Sequence, residues 1–271
     1  MKPGVVVNGP DVIYGPLALL SGTFEEKVAK AARMGYRGIE FMARDPAKLD
    51  WAWIKKTVQN AGLEVPQVVT GELFGADGLC LVTADEELYR RAEERTRSVI
   101  DLAAYLGAMV NIGRLRGQLR LLGNVADPYG IAVERLRRVA LYAAERGVKI
   151  TLEPLNRYES DFIPNAFEGR RFIEAMGCDN VGLMLDLFHM NIEDASIEEG
   201  LRQAGELLWH LHIADTNRRY PGSGHMDYDS IFATLREMGY EGYVSAEMLP
   251  LPDPDTAAQK TIEFLRRYLQ V

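Results

Sequence analysis

The stretch that decides the fold is Val148 to Asn165, VKITLEPLNRYESDFIPN, an apolar run that stops at a carboxylate, Glu153, and gives way to a polar loop. The same plan returns three times downstream. Val181 to Met190 (VGLMLDLFHM) ends in Asp186 and His189, Leu207 to Asp215 (LLWHLHIAD) carries His212, and Tyr243 to Met248 (YVSAEM) ends in Glu247. Four strands each deliver one ligand-type side chain. The gaps between Glu153, Asp186, His212 and Glu247 are 33, 26 and 35 residues, each room for one strand, loop, helix and loop. The four groups therefore belong at corresponding positions of four successive βα units.

Side-chain parity points the same way, because alternate residues of a strand face opposite sides and a barrel strand is covered on both. With Glu153, Asp186, His212 and Glu247 facing inward, Ile150, Leu152, Val181, Leu183, Leu185, Leu211, Ile213, Val244 and Ala246 face outward as an apolar coat for surrounding helices. Their inward companions, Thr151, Gly182, Met184, His210 and Ser245, are mostly small or polar. A polar barrel mouth needs that asymmetry.

Working back to the N-terminus, apolar runs alternate with helical patterns through the chain. VVVNG precedes FEEKVAKAARMGY, with Thr23 as cap; GIEFMA precedes WAWIKKTVQNAG, with Asp50 as cap. LEVPQVVTG leads through a loop, GELFGADGLCLVTADEE, into LYRRAEERTRSVIDLAAYLG, and MVNIGRL leads past Asp127-Pro128 into YGIAVERLRRVALYAAERG. The last four helices fall near FEGRRFIEAMG, IEEGLRQAG, DSIFATLREMGY and TAAQKTIEFLRRYLQ. Gly62, Gly107, Gly147 and Gly177 stand just before strands, where helices end. Eight βα units imply an α/β fold, a (β/α)8 TIM barrel, and 271 residues suit one such domain spanning 1–271, since the barrel needs roughly 250. No G-x-G-x-x-G follows the first strand, which removes a dinucleotide-binding fold.

Composition bounds the partners. A hydrophobic content of 47% with 26% charged residues is that of a globular protein, and no apolar run approaches the ~20 residues of a membrane span. The N-terminal MKPGVVVNGPDVIYGP lacks the sustained apolar core of a secretion signal, so a cytoplasmic location is expected. Cys80 and Cys178 read as incidental thiols of a reducing compartment. The formal net charge of −8 opposes binding to nucleic acid or an anionic membrane and leaves a small molecule as the expected partner.

Three carboxylates and one imidazole form a hard, oxygen-rich set suited to one divalent ion, Mn2+, Mg2+ or Co2+, and not to a thiolate site. One carboxylate at a strand end is commonly a helix cap. Four in register are different, because buried acids cost several kcal/mol each unless paired or metal-bound. His210, one layer below His212, reads as a hydrogen-bonded core residue, and His225, in RRYPGSGHMDY, as a loop residue. Arg218 and Arg219 read either as a solvated charge patch or, for one of the two, as a group just past strand seven that holds a substrate oxygen.

LEPLNRYE, LDLFHMNIEDAS, HLHIADTNR and GYEGYVSAEM, covering about residues 149 to 248, together resemble the ketose 3-epimerases (D-tagatose, D-psicose and L-ribulose 3-epimerases) of the xylose isomerase-like TIM barrel superfamily. The resemblance implies Glu153, Asp186, His212 and Glu247 as metal ligands, with Mn2+ as the preferred ion. It implies Glu159, His189 and Arg218 as substrate-binding residues, and Glu153 and Glu247 as the acid-base pair that moves the C3 proton of an open-chain ketose through a metal-stabilised enediolate. It also implies a dimer or tetramer.

Other chemistries fit the same ligands. A keto-sugar dehydratase or lyase, of the inosose dehydratase or 3-keto-glycoside eliminase type, would use the same enolate and expel a leaving group. An abasic-site endonuclease shares the barrel but needs a histidine-rich trinuclear zinc cluster, which four His and an acidic balance do not supply. A metal-free sugar-binding barrel would leave the ligand set without a purpose. Arg114, Arg116, Arg218 and Arg219 leave a phosphorylated substrate open.

Overall fold

A computed structural model describes residues 1–13 and 15–269. Eight strands, β1 (Lys2–Asn8), β2 (Gly38–Met42), β3 (Gln67–Val69), β4 (Met109–Ile112), β5 (Ile150–Leu152), β6 (Val181–Asp186), β7 (Leu208–Ile213) and β8 (Tyr243–Ala246), pair in parallel and in sequence order. β8 returns to β1, so no sheet edge is left unpaired. The parity expected from sequence holds: Leu183, Leu185, Leu211 and Val244 are buried under the helices. Inside, Thr151 Oγ1 donates to Gln67 Oε1 (2.9 Å), and the Met184 sulfur lies 3.0 Å from Gln67 Nε2.

The eight helices that ring the barrel all start with the same device. Thr23, Asp50, Asp85, Asp127, Asn165, Ser196, Asp227 and Asp253 each accept a hydrogen bond from the backbone N–H three residues on. Each cap is worth ~1 kcal/mol and fixes where a loop becomes a helix. The helices end where glycine permits left-handed backbone, at Gly35, Gly107 and Gly177.

Two local expectations need correction. The run VGLMLDLFHM is not strand throughout: β6 stops at Asp186 and a helix, Leu187–Glu193, begins. The cause is Asp186 itself, whose carboxylate accepts the Phe188 N–H at 2.9 Å and starts the helix. His189 thus sits one helical turn above the strand. In the loop after β3, Gly71–Gly75 forms a short helix.

β7 carries one residue too many. Leu183 pairs with Leu208 but Met184 pairs with His210, so Trp209 bulges out of register. Its indole fills the space over Gly182, where an added Cβ would lie 2.2 Å from the ring, and Lys149 reaches over the ring at 4.8 Å. Cys80 and Cys178 are buried free thiols. Among the described residues, no helix is long and apolar enough to cross a membrane.

The Gly182 contact yields a stability prediction. Gly182→Val should destabilise the fold by ~1–3 kcal/mol in urea unfolding, and Trp209→Ala in the same chain should recover part of that loss, because overpacking is relieved when the obstructing ring is removed. Purely additive losses in the double variant would show that the ring is not what Gly182 accommodates.

Candidate active site

At the C-terminal end of β5 to β8, Glu153, Asp186, His212 and Glu247 each offer one donor atom, and these four atoms lie within 4.8 Å of one another. All four side chains are buried. His212 Nδ1 stands 3.4 Å from Glu247 Oε2, while Asp186 Oδ2 and His212 Nδ1 have no hydrogen-bond partner among the described residues. Close packing of acids with unsatisfied lone pairs in a dry site is what a hard cation resolves, so the residues fit a divalent ion.

The electrostatics say the same. Burial, then the neighbouring Glu247 charge, pushes the Glu153 carboxyl up to about 8, and burial pushes Asp186 up to about 6. For Glu247, burial pulls upward too, but the His212 imidazole and Arg218 outweigh it and hold the carboxyl below its ordinary value. Without a cation the centre retains protons that a carboxylate in water would lose.

A second layer sits beneath. Glu40 of β2, fully buried, places Oε2 3.1 Å from His212 Nε2 and Oε1 2.7 Å from His210 Nε2, and Gln67 Nε2 donates to Glu40 Oε2 at 2.8 Å. Burial alone would raise the Glu40 pKa; the two imidazoles reverse that and hold it well below the carboxylate range. His212 is raised well above its ordinary value against the effect of burial, because Glu247 and Glu40 flank it. His212 would offer Nδ1 to a cation, with Glu40 holding the proton on Nε2. His210 is a buried core residue, as its sequence position suggested, but it faces Glu40 by proximity alone: neither ring nitrogen makes a hydrogen bond among the described residues.

His189 Nε2 lies 3.7 Å from Glu153 Oε1 and 3.9 Å from Asp186 Oδ2. The Asn156 amide nitrogen and backbone N–H approach its other nitrogen, Nδ1, at 2.7 and 3.4 Å. Two donors aimed at Nδ1 make it the acceptor and leave the proton on Nε2, which faces the centre. Burial, and then the positive charges of Arg218 and Arg116, keep this imidazole neutral. Arg218 donates to Glu159 Oε1 at 2.8 Å and stacks over Phe188 at 4.5 Å.

Glu153, Glu247, Glu159, His189 and Arg218 all line one cavity of about 490 Å3. Gly113 borders it, where a Cβ would lie 2.3 Å from Glu153 Oε2, so the backbone there must be bare. Of the four arginines that leave a phosphorylated substrate open, Arg114 and Arg218 line the cavity, whereas Arg116 and Arg219 do not. Arg116 is fully buried, its guanidinium spent on the carbonyls of Gly113, Glu153, Phe162 and Ile163, and Arg219 and His225 are exposed on the loop beyond.

Glu40 and Asn156, which contact His212 and His189, were not singled out by the sequence, and Arg116 was read there only among the arginines that leave a phosphorylated substrate open. Glu40 had a signal, a charge in the middle of the apolar strand GIEFM; Asn156 and Arg116 had none, because their partners are distant in sequence.

An eight-stranded barrel with a hard-donor cluster at its mouth defines a class of metal-site barrel enzymes. The model of the xylose isomerase-like TIM barrel family matches residues 28–268. The L-ribulose 3-epimerase of Mesorhizobium japonicum is 33% identical over 225 residues, covering 82% of this chain and 74% of that protein. The D-psicose 3-epimerase of Agrobacterium fabrum is 31% identical over 241 residues, 84% of this chain and 80% of that one. A crystal structure of D-psicose 3-epimerase with D-tagatose from Clostridium cellulolyticum superposes with a TM-score of 0.82 over the whole of both chains, at 25% identity. This chain belongs to the xylose isomerase-like TIM barrel family, within its ketose 3-epimerase group.

Two outcomes follow from the proton balance. In cation-free protein, groups with raised folded-state pKa values bind more protons folded than unfolded, so stability falls as pH rises from about 5 to about 8. The Tm gap between Mn2+-loaded and EDTA-stripped protein should therefore widen across that range; a constant gap would refute the shifts. Glu40→Gln should weaken divalent binding ~10–100-fold in a calorimetric titration of the stripped protein, because an amide donating to His212 Nε2 moves the proton to Nδ1.

Proposed function

We propose that the protein is a divalent-metal-dependent ketose 3-epimerase. The observation that carries this reading is the pairing of two glutamates, Glu153 just past β5 and Glu247 just past β8, in one buried cluster reached by a cavity. Inversion at carbon needs two acid-base groups on opposite faces, and these strands stand well apart around the barrel. Elimination, the competing chemistry, needs only one such group and a leaving group. The relatives described above are epimerases.

Glu153, Asp186, His212 and Glu247 would hold the ion, with Mn2+ favoured over Mg2+ or Co2+ in this oxygen-rich set with one imidazole. Bound there, a divalent ion supplies Lewis-acid withdrawal at the substrate carbonyl. One of Glu153 and Glu247 removes the C3 proton, and the other returns a proton to the opposite face. His189, with its proton on Nε2, donates to the oxygen that gains charge, and Arg218 adds a fixed positive charge beside it. Glu159, tied to Arg218, orients that guanidinium and accepts from the O1 hydroxyl of the sugar. The small-molecule partner is thus an open-chain ketose. The same reading takes the chain as one barrel domain acting in the cytoplasm, in keeping with its buried free thiols, and as a dimer or tetramer.

Mn2+-loaded protein in D2O should place deuterium at C3 of a ketose such as D-psicose, D-tagatose or L-ribulose. Glu153→Gln and Glu247→Gln should each lower the rate by ~10^2-fold or more, the scale of a lost general acid or base. No exchange with any ketose would sink the assignment, and an unsaturated product absorbing in the ultraviolet would replace it with a lyase.

A further inference from the structure

The cavity extends beyond the cation cluster and its neighbours, toward the loops that follow β3 and β4. There it is walled by Glu72 and Phe74 of the short helix Gly71–Gly75 and by Arg114, just past β4. Glu72 is only 8% exposed, yet its carboxylate has no hydrogen bond and no ion pair among the described residues. Arg114 likewise has no carboxylate within salt-bridge distance among the described residues, and its guanidinium carbon lies over the Phe74 ring, 4.9 Å from the ring centre. The other arginine near Glu72, Arg44, is committed to Asp77 at 2.6 Å.

Glu72 is mostly buried but its carboxylate oxygens are not sealed off, so this unpaired acceptor is partly desolvated and still reachable from the cavity. Burial accordingly pushes the Glu72 carboxyl upward, against the pull of Arg114 and Arg44. The acceptor and the fork of donors face one space from adjacent loops, with apolar side chains of Leu17, Met42, Val69 and Leu249 making other parts of the wall. Paired hydroxyls match this arrangement: one donates to a carboxylate and the next accepts from a guanidinium, while carbon-bound hydrogens lie on the apolar wall.

We propose that Glu72 and Arg114 form a tail subsite that grips the terminal hydroxyls of the ketose, making the protein selective for sugars of six or more carbons over five-carbon ketoses. This rests on the epimerase reading for its orientation: His189, Arg218 and Glu159 hold the reacting end, so the far end of the chain is directed at the β3 and β4 loops. The Phe74 ring beneath the Arg114 guanidinium restricts its movement and reduces the freedom lost when the sugar binds. A hydroxyl that meets a built partner discriminates strongly, because the analogue lacking it strands the buried acceptor.

The test compares D-psicose with D-ribulose, which lacks the terminal carbon, on Mn2+-loaded protein, by calorimetric affinity and by C3 deuterium exchange. The native protein should favour D-psicose by ~10-fold or more in affinity and in kcat/KM, the scale of a hydrogen bond to a charged group. Glu72→Leu and Arg114→Met should each cut that ratio by ~10-fold, mainly through KM, since tail contacts are the same in ground and transition states. Glu72→Gln keeps an acceptor in place and should retain most of the preference. Should Glu72→Leu fail to fold, the exposed Arg114 side chain carries the same readout. Exchange at C3 with equal affinities for the two sugars would overturn the subsite and leave the epimerase standing. A tail-dependent affinity that the variants abolish, without any exchange, would do the reverse.

Discussion

Crowding of like charge in a dry place governs this molecule. Three carboxylates meet at the mouth of a closed barrel, each nearly cut off from water, and a fourth, Glu40, lies directly beneath. Left alone, such a group answers burial by holding on to protons, as Glu153 and Asp186 do, or by drawing an imidazole into the charged form, as Glu247 and Glu40 do with His212. Both responses leave lone pairs without partners. The fold maintains the arrangement because the surrounding framework is stiff: eight strands closed without an edge, and eight helices whose starts are set by side-chain caps.

The layers around the centre divide the labour. The upper layer presents oxygens and one imidazole nitrogen; the lower one fixes which nitrogen that is, through Glu40. On the cavity side, Asn156 does the equivalent for His189. Two histidines of one site are therefore held differently: Glu40 faces Nε2 of His212 and leaves Nδ1 toward the carboxylates, while Asn156 faces Nδ1 of His189 and leaves Nε2 as a donor toward the centre. Arg116 contributes nothing to ligand recognition directly; it binds the carbonyls of the loop after β5 and keeps that loop's shape.

Much of this was legible in the chain because barrel strands obey a period of two and helix starts obey a three-residue spacing. Ile150 to Glu153 and Tyr243 to Glu247 could be read directly, and so could the caps at Thr23 and Asp50. Reading failed where one residue serves two purposes. Asp186 is a strand's last inward residue and also the acceptor that begins a helix, so the apolar run that continues to Met190 looked like more strand. It failed also where a partner is remote: nothing near Arg116 announces that its guanidinium will be enclosed by carbonyls some forty residues away. Arg116, one of four arginines that leave a phosphorylated substrate open in the sequence, is for that reason unavailable to a ligand.

The extra residue in β7 separates the two ends of the barrel. Because Trp209 stands outside the ladder, the stave below it and the stave above it keep independent phase: Leu208 stays in step with Leu183 while His210 and His212 stay in step with Met184 and Asp186. The indole closes the floor beside Gly182 and Lys149 without shifting the imidazoles overhead. Floor and mouth are thereby insulated, and substitutions that reshape the underside are free to accumulate without retuning the chemistry at the top.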